Sequence, residues 1–248
     1  MAAVLASIAV VPGLALGSFL NVVVARVPLR RSILHPGSAC MTCQRPIAWY
    51  DNVPLLSYVL LRGRCRHCGA GIPLRYPLIE LATGLLVAAS LLVFGLNATA
   101  LVAAVFCAAL VAISATDFEH RIIPNWVVLP AAAVVLAGRT VIDPSPEWAI
   151  AAVAASGFLL VALLAYPAGM GMGDVKLALL LGAMLGRTVG VALMVGMFAA
   201  LIPSIVLLAR HGSAARKMAV PLGVFLALGG LVALFAGERL LDVYLGTF

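Results

Sequence analysis

The chain has 248 residues, of which 64% are hydrophobic and 10% are charged, and its formal net charge is +7. A soluble globular domain is about half apolar and about a quarter charged, so this composition excludes an ordinary soluble domain and predicts an integral membrane protein. The basic residues are not accompanied by the aromatic residues or the groove-binding motif that a nucleic-acid-binding surface would show. We therefore expect the lipid bilayer, and no nucleic acid, among the partners.

Eight apolar runs follow one another along the chain. Runs of this length that are rich in Ala and Leu are typical of membrane-spanning helices, which satisfy their own backbone hydrogen bonds in lipid. They cover residues 3–25, 76–96, 99–116, 125–142, 148–167, 174–186, 189–209 and 218–238. The sixth run is short for a full span. The sequence therefore predicts an all-α, polytopic membrane bundle of about eight transmembrane helices.

The first run differs from a secretory signal because no basic residue precedes it, whereas Arg26, Arg30 and Arg31 follow it. We expect residues 1–25 to be an uncleaved transmembrane helix with the N-terminus on the outer side of the membrane. By the positive-inside rule, most of the Arg and Lys residues then lie on the cytoplasmic side of the membrane. These cations are also expected to attract anionic lipid headgroups.

Residues 26–75 are polar, rich in Arg, Pro and Gly, and contain four of the five cysteines. We interpret this segment as a small cytoplasmic module inserted between the first helix and the remaining bundle, residues 76–248. A module of about fifty residues cannot bury a large core, and such modules usually need a covalent or metal staple.

The cysteines of this module stand in two Cys-x-x-Cys pairs with twenty-one residues between the pairs. The four residues are Cys40, Cys43, Cys65 and Cys68. This spacing is typical of a four-thiolate zinc site, and four protein ligands leave no open position for catalysis. The pattern predicts a structural zinc ion, with transient disulfides or free thiols as the alternatives. Cys107 stands alone in an apolar run and is expected to be a buried, inert thiol.

Asp174 stands at the head of an apolar run, in Gly-Met-Gly-Met-Gly-Asp-Val-Lys (169–176). A charge at the membrane costs about 2.5–3.5 kcal/mol on insertion scales, so this carboxylate is a functional candidate. The structural alternative is a helix N-cap worth about 1 kcal/mol. The glycines before it predict a strand-like stretch that an extended peptide can approach closely.

Asp117 occupies a matching position after the run 99–116. The alternative for this residue is an interfacial loop charge paired with Arg121. Glu119 is the other candidate for the first carboxylate of the pair. Two carboxyl groups brought together cannot both ionise easily, so such a pair holds one proton. The ionised member can accept a proton from water while the other donates to a peptide carbonyl. The pair therefore predicts aspartic proteolysis.

Taken in order, these and neighbouring motifs resemble the bacterial type IV prepilin peptidases, which are intramembrane aspartyl proteases with a Gly-x-Gly-Asp motif. The resemblance covers nearly the whole chain. Its motifs occupy residues 17–23, 40–43, 49–58, 65–68, 74–80, 117–125, 171–176 and 221–230. One departure lies in the last motif, which reads Pro-Leu-Gly-Val-Phe where the family usually has Pro-Phe-Gly-Pro-Phe.

The resemblance implies an endopeptidase that removes the leader of prepilins and pseudopilins on the cytoplasmic side, with Asp117 and Asp174 as its catalytic residues. Many members also methylate the new N-terminus with S-adenosylmethionine, and the cysteine module is found in these bifunctional members. The residues that bind the methyl donor are not readable. The polar groups Glu80, Asn125 and Lys176 either bind peptide and tune the pair or are merely hydrogen-bonded.

Two other classes of protein are compatible with a polytopic bundle that carries a metal module. A zinc-regulated transporter would show polar groups at mid-membrane or helices broken in corresponding halves, and neither is visible. A membrane scaffold would use the cysteine module to bind partners. Within the enzyme class, a peptidase without methyltransferase activity is the alternative.

Overall fold

The computed structural model describes residues 2–167, 169–212 and 220–246, which are helical apart from loops and two isolated β-bridges. The described ranges contain nine α-helices. They are α1 (Ala2–Arg26), α2 (Leu56–Leu60), α3 (Arg75–Phe94), α4 (Ala98–His120), α5 (Asn125–Ile142), α6 (Glu147–Ala165), α7 (Met172–Leu185), α8 (Val189–His211) and α9 (Leu222–Gly246). Short 3-10 turns lie at Trp49–Asp51 and Gly186–Thr188. The predicted all-α class is confirmed.

Seven segments of the described chain are long and apolar enough to cross a membrane. The predicted sixth and seventh runs form one of them, Met172–His211, in which the second 3-10 turn separates α7 from α8. Helix α7 has 14 residues and is therefore about 21 Å long, which is shorter than a hydrocarbon core of about 30 Å. The predicted last run began at residue 218, outside the described residues, and α9 begins at Leu222.

The chain divides into two compact units, residues 1–112 and 113–248. In the first unit α1 packs against α3 at small residues, which is how helices approach each other closely in lipid. A Cβ atom added at Gly17 would lie only 2.6 Å from the Cα of Glu80. No larger residue fits at this crossing unless the helices separate.

In the second unit α7 packs against α5, α6 and α9, and α8 pairs with α9. Leu177, Leu180 and Leu181 of α7 are completely buried. The opposite face of α7 meets α6 so closely that a Cβ atom at Gly182 would collide with the backbone of Ala151. Helix α7 is thus the central helix of this unit, and its first turn carries Asp174.

The outer surfaces of the long helices are apolar. Val153 of α6, Phe198 and Ile202 of α8 are each about two-thirds exposed in the isolated chain. Side chains of this kind at high exposure are typical of a lipid-facing surface. The chain is therefore a multi-pass membrane protein.

The module between α1 and α3 has almost no core of its own. Between residues 26 and 75, all of which the structure describes, Ser57 is the one buried residue. So little burial is consistent with the expectation that a hydrophobic core alone does not stabilise this segment.

Candidate active site and metal centre

The cysteine pairs lie on two tight turns that have the same backbone pattern. In the first turn, the Cys40 N–H donates to the Arg45 carbonyl at 3.0 Å, and the Gln44 N–H donates to the Cys40 carbonyl at 2.9 Å. The second turn repeats both bonds, from Cys65 to Ala70 at 2.8 Å and from Gly69 to Cys65 at 2.9 Å. Because each turn fixes two sulfur atoms locally, only the approach of one turn to the other remains to be set.

The two turns bring their sulfur atoms into one cluster. The four Sγ atoms lie within 4.8 Å of one another, and the Sγ atoms of Cys40 and Cys68 are 3.7 Å apart. A tetrahedral zinc ion with bonds of 2.3 Å separates its sulfur ligands by about 3.8 Å, so the cluster can hold such a metal ion. His67 is exposed and lies 3.4 Å from Arg45, outside this group of ligands.

The thiols of the cluster differ in acidity. The backbone N–H groups of Cys43 and Thr42 lower the pKa of the Cys40 thiol to about 6, so it is a thiolate at neutral pH. At Cys68 the Ala70 N–H lowers the pKa, but desolvation and the neighbouring cysteines outweigh it and raise the pKa to about 11. A metal ion that binds all four sulfur atoms therefore has to displace thiol protons.

Asp174 is the third residue of α7, and Gly171 is the N-cap. Asp174 is therefore not the N-cap residue, and that interpretation is wrong. Its carboxylate nevertheless serves the helix end, because Oδ2 accepts the Gly171 N–H at 3.0 Å. Gly171 has extended backbone, whereas Gly173 is already helical, so the predicted strand-like stretch ends two residues earlier than expected. Asp174 is 8% exposed.

Asp117 lies within the last turn of α4, not beyond the helix end as the sequence indicated. It is buried, and among the described residues its Oδ2 atom has no hydrogen-bond partner. The backbone N–H groups of Gly223 and Val224 face the carboxyl group, and the charge of Arg121 acts on it. The rival acid Glu119 lies against His120, at 3.7 Å.

The structure brings Asp117 and Asp174 into one cluster of the second unit, close enough for the charge of one to act on the other. Ile123 connects their surroundings. A Cβ atom at Gly173 would lie 2.9 Å from the Ile123 Cβ, and one at Gly223 would lie 2.9 Å from the Ile123 Cδ1. The same added atom at Gly223 would be 2.8 Å from the Asp117 Oδ2.

Gly223 and Ile123 are therefore site residues that the sequence analysis did not single out. Both lie within quoted motifs, but no helical periodicity shows that the start of α9 lies against the end of α4. The available signal was Gly223 itself, because a glycine in the first turn of an apolar helix, where no chain turn requires it, indicates a close contact.

Three further polar residues, Lys176, Asn125 and Glu80, act within their own units. Lys176 donates to the Asn125 Oδ1 at 2.8 Å and so connects the N-terminal ends of α7 and α5. In the first unit, the Glu80 Oε2 accepts the Leu55 N–H at 2.9 Å. All three are hydrogen-bonded. Cys107 is completely buried beside Ser90, at 3.9 Å, as expected of an inert thiol.

Comparison with known proteins identifies the relatives of this chain. A sequence model described as the Bacterial Peptidase A24 N-terminal domain matches residues 11–94, and one described as the Type IV leader peptidase family matches residues 104–209. The chain belongs to the type IV leader peptidase family. The family inferred from the sequence motifs is thus confirmed, and with it the class of enzyme. No solved structure matches the chain.

Several relatives are named prepilin leader peptidase/N-methyltransferase. One from Myxococcus xanthus is 40% identical over 82% of this chain, which spans 64% of that relative. One from Burkholderia pseudomallei strain 1026b is 37% identical over 92% of this chain and 84% of the relative. One from Bacillus subtilis is 32% identical over 96% of this chain and 97% of the relative.

Proposed function

We propose that the chain is a membrane endopeptidase that removes the leader of type IV prepilins and pseudopilins, with Asp117 and Asp174 as its catalytic residues. One observation carries this proposal: two buried carboxyl groups from different helices lie in one cluster, and one of them has an oxygen atom with no partner in the described chain. A buried polar atom without a partner is costly, and a water molecule or substrate group would satisfy it.

The pair performs hydrolysis with a single shared proton. The ionised carboxylate accepts a proton from water as the water oxygen attacks the peptide carbonyl, and the protonated carboxyl donates its proton to the carbonyl oxygen. Collapse of the tetrahedral intermediate breaks the C–N bond, and the amine leaves with a proton returned from the pair. No covalent intermediate with the enzyme forms.

The surroundings of the pair fit an extended substrate. Gly171 has extended backbone and carries no side chain that would hinder a peptide running beside Asp174. A prepilin has a basic leader before a hydrophobic helix, so its cleavage site reaches the membrane edge while its helix stays in lipid. In the proposed topology the end of α4 and the start of α7 lie at such an edge.

Orientation follows from charge. We place the N-terminus outside and both the cysteine module and the aspartate pair on the cytoplasmic side of the inner membrane, because the segments between spans that carry most Arg residues then lie inside. The first helix remains attached, residues 26–75 form the module, and residues 76–248 form the remaining bundle.

The metal that we assign to the cysteine cluster is zinc. Cys40, Cys43, Cys65 and Cys68 would hold it with four thiolates, the ligand set that Zn²⁺ prefers in structural sites. The segment has one buried residue of its own, so the ion supplies the folding free energy that a hydrophobic core would otherwise provide.

We further propose N-methylation of the new N-terminal residue. S-adenosylmethionine would supply the methyl group, and the new N-terminal amine would accept it and lose a proton. The support is the N-methyltransferase name carried by relatives that match most of the chain, including the module.

The proposed proteolysis is tested with Asp117→Asn and Asp174→Asn in the purified full-length protein. Each change keeps the size of the side chain and removes the shared proton chemistry, so we expect cleavage of a prepilin to fall by about 10²–10⁴-fold. The measurement is product mass, in which leader loss and an added methyl group are distinct. Glu119→Gln is the matched control and should cleave normally. Normal cleavage by either aspartate variant would contradict the assignment.

The same assay separates the alternatives. A peptidase alone would give the shortened pilin without the methyl mass at saturating donor. A transporter or scaffold would give neither product, and the membership of the leader peptidase family argues against both.

A further inference from the structure

A cavity of about 360 Å³ lies within the first unit, between α1, α3 and the cysteine module. Its size is in the range of small-molecule sites, about 300–1,000 Å³. Part of its wall comes from three motifs that proteolysis leaves without a role, at residues 17–23, 49–58 and 74–80, and another part comes from the two cysteine turns, including Cys40 and Cys65. Segments far apart in the chain that meet around one cavity point to a ligand.

One part of the wall is acidic. Glu80 of α3 lines the cavity and is 9% exposed, with its Oε2 bonded to the Leu55 N–H at 2.9 Å and its carboxyl in contact with the Ser18 hydroxyl. These two donors fix the carboxyl group in place. A carboxylate held at the wall of a largely apolar cavity is suited to a cationic ligand group.

Another part of the wall is basic. Arg26 lines the same cavity and follows Ser18 by eight residues on α1, which places it about 12 Å further along the helix. Its guanidinium group is fixed by the carbonyl groups of Ser32 at 3.1 Å and Gly37 at 3.3 Å. The cavity therefore has opposite charges at separated positions.

Between these charges the wall is polar and aromatic. Asn21 is buried and donates to the Tyr76 carbonyl at 3.1 Å, and Tyr58 and Tyr76 line the cavity. Arg66, which also lines it, is already paired with Asp51 at 2.6 Å. Aromatic faces beside a hydrogen-bonding amide suit a purine nucleoside.

We propose that this cavity binds the sulfonium methyl donor S-adenosylmethionine, with Glu80 facing its sulfonium group and Arg26 facing its carboxylate. The donor combines a cation, a carboxylate and an adenosine, which are the three chemistries that the cavity walls present. This inference rests on the proposed methyl transfer and adds the residues that bind the donor.

The test uses the full-length protein in lipid nanodiscs and measures binding, not turnover. The two probes are sinefungin, which carries an ammonium group in place of the sulfonium, and S-adenosylhomocysteine, which has a neutral sulfur. Glu80→Gln retains an acceptor for the Leu55 N–H and removes only the charge. We expect this variant to bind sinefungin about tenfold more weakly, and S-adenosylhomocysteine less than about threefold more weakly, than the unaltered protein does.

Ser90→Ala is the matched control, because Ser90 is a buried polar residue of the same helix and does not line the cavity. It should bind both probes as the unaltered protein does. If Glu80→Gln lowers the melting temperature, Arg26→Gln replaces it. That variant should weaken S-adenosylhomocysteine but not methylthioadenosine, which lacks the amino-acid part.

The outcomes separate this inference from the function on which it rests. If the unaltered protein binds both probes and neither variant changes the affinities selectively, the cavity assignment is wrong and methyl transfer stands. If the unaltered protein cleaves a prepilin but binds neither probe, both the methyl transfer and the cavity assignment fail. A selective loss in Glu80→Gln, with Ser90→Ala unchanged, supports the inference.

Discussion

The cysteine module and the aspartate cluster position their side chains in opposite ways. In the module, each pair of sulfur atoms is fixed by a single turn with two backbone hydrogen bonds, and one residue of the segment is buried. Asp117 and Asp174 lie instead on two helices that meet through tight packing with Ile123 and the first turn of α9. Local geometry sets the first site, and tertiary packing sets the second.

This difference predicts how each region fails. The module has no core to retain its shape when its ligands or metal are removed, so its loss should be cooperative and should affect folding. The aspartate cluster lies on closely packed helices, so small changes there should displace a carboxyl group while the bundle stays folded. The predictions below test this contrast in order of expected effect.

The largest effect should follow removal of the metal from the module. Structural zinc sites have apparent binding free energies of about 10–16 kcal/mol at neutral pH, and that energy is folding energy. A strong chelator should therefore make residues 26–75 sensitive to trypsin while the spans stay protected, as measured by mass spectrometry of the fragments. Added zinc should restore protection. A chelated protein with an equally resistant module would contradict the proposed staple.

A smaller effect is expected from Gly223→Ala at the aspartate cluster. The added methyl group would lie 2.8 Å from the Asp117 Oδ2, and rotation of that carboxyl group is the easiest way to relieve the contact. A misplacement of about 1 Å can cost about a hundredfold in rate, so we expect that loss in prepilin cleavage with little change in melting temperature.

Gly190→Ala is the control for this change, because a Cβ atom there meets nothing within 4 Å. It should retain the cleavage rate. If Gly223→Ala cleaves normally, or if it loses stability as much as activity, the cluster is not positioned by this contact.

Gly173→Ala should have the next largest effect on cleavage. Because Ile123 contacts both glycines, we expect the effects of Gly173→Ala and Gly223→Ala to depend on it. The added atom would lie 2.9 Å from the Ile123 Cβ, next to the backbone, so the first turn of α7 has to shift and carry Asp174 with it. We expect about a tenfold loss in cleavage. Ile123→Ala retains that Cβ, so it should leave Gly173→Ala impaired. In Gly223→Ala it removes the contact with the Cδ1 at 2.9 Å but not the contact with the Asp117 Oδ2 at 2.8 Å, so cleavage should recover only in part. Equal rescue of both would contradict the assigned contacts.

The same contrast explains which parts of the molecule the sequence could predict. The cysteine spacing is a local signal, and it predicted all four sulfur atoms that the structure brings together. Apolar runs predicted the helices because lipid enforces that pattern, but the end of α4 was placed too early, since polar residues such as Asp117 can complete a helix that began in lipid. The contact of Gly223 with Asp117 could not be derived, because it depends on how α9 packs.

The smallest predicted effect lies within the module, at one backbone position that its two turns share. Gln44 and Gly69 each donate to the first cysteine of their turn, and both have positive φ, 58° and 70°. A residue with a Cβ atom costs roughly 1–2 kcal/mol in this region. Nothing lies within 4 Å of an added Cβ at Gly69, so Gly69→Ala tests the backbone cost alone.

We expect Gly69→Ala to weaken zinc binding by about tenfold, and Gln44→Gly to strengthen it by a smaller factor, because glycine removes strain at the cost of a more flexible apo chain. Competition with a chromogenic chelator measures both. Gly71→Ala, which has equally open surroundings but no positive φ, should bind as the unaltered protein does. If Gly69→Ala and Gly71→Ala behave alike, the turns do not set the geometry of the sulfur ligands, and the approach of one turn to the other does.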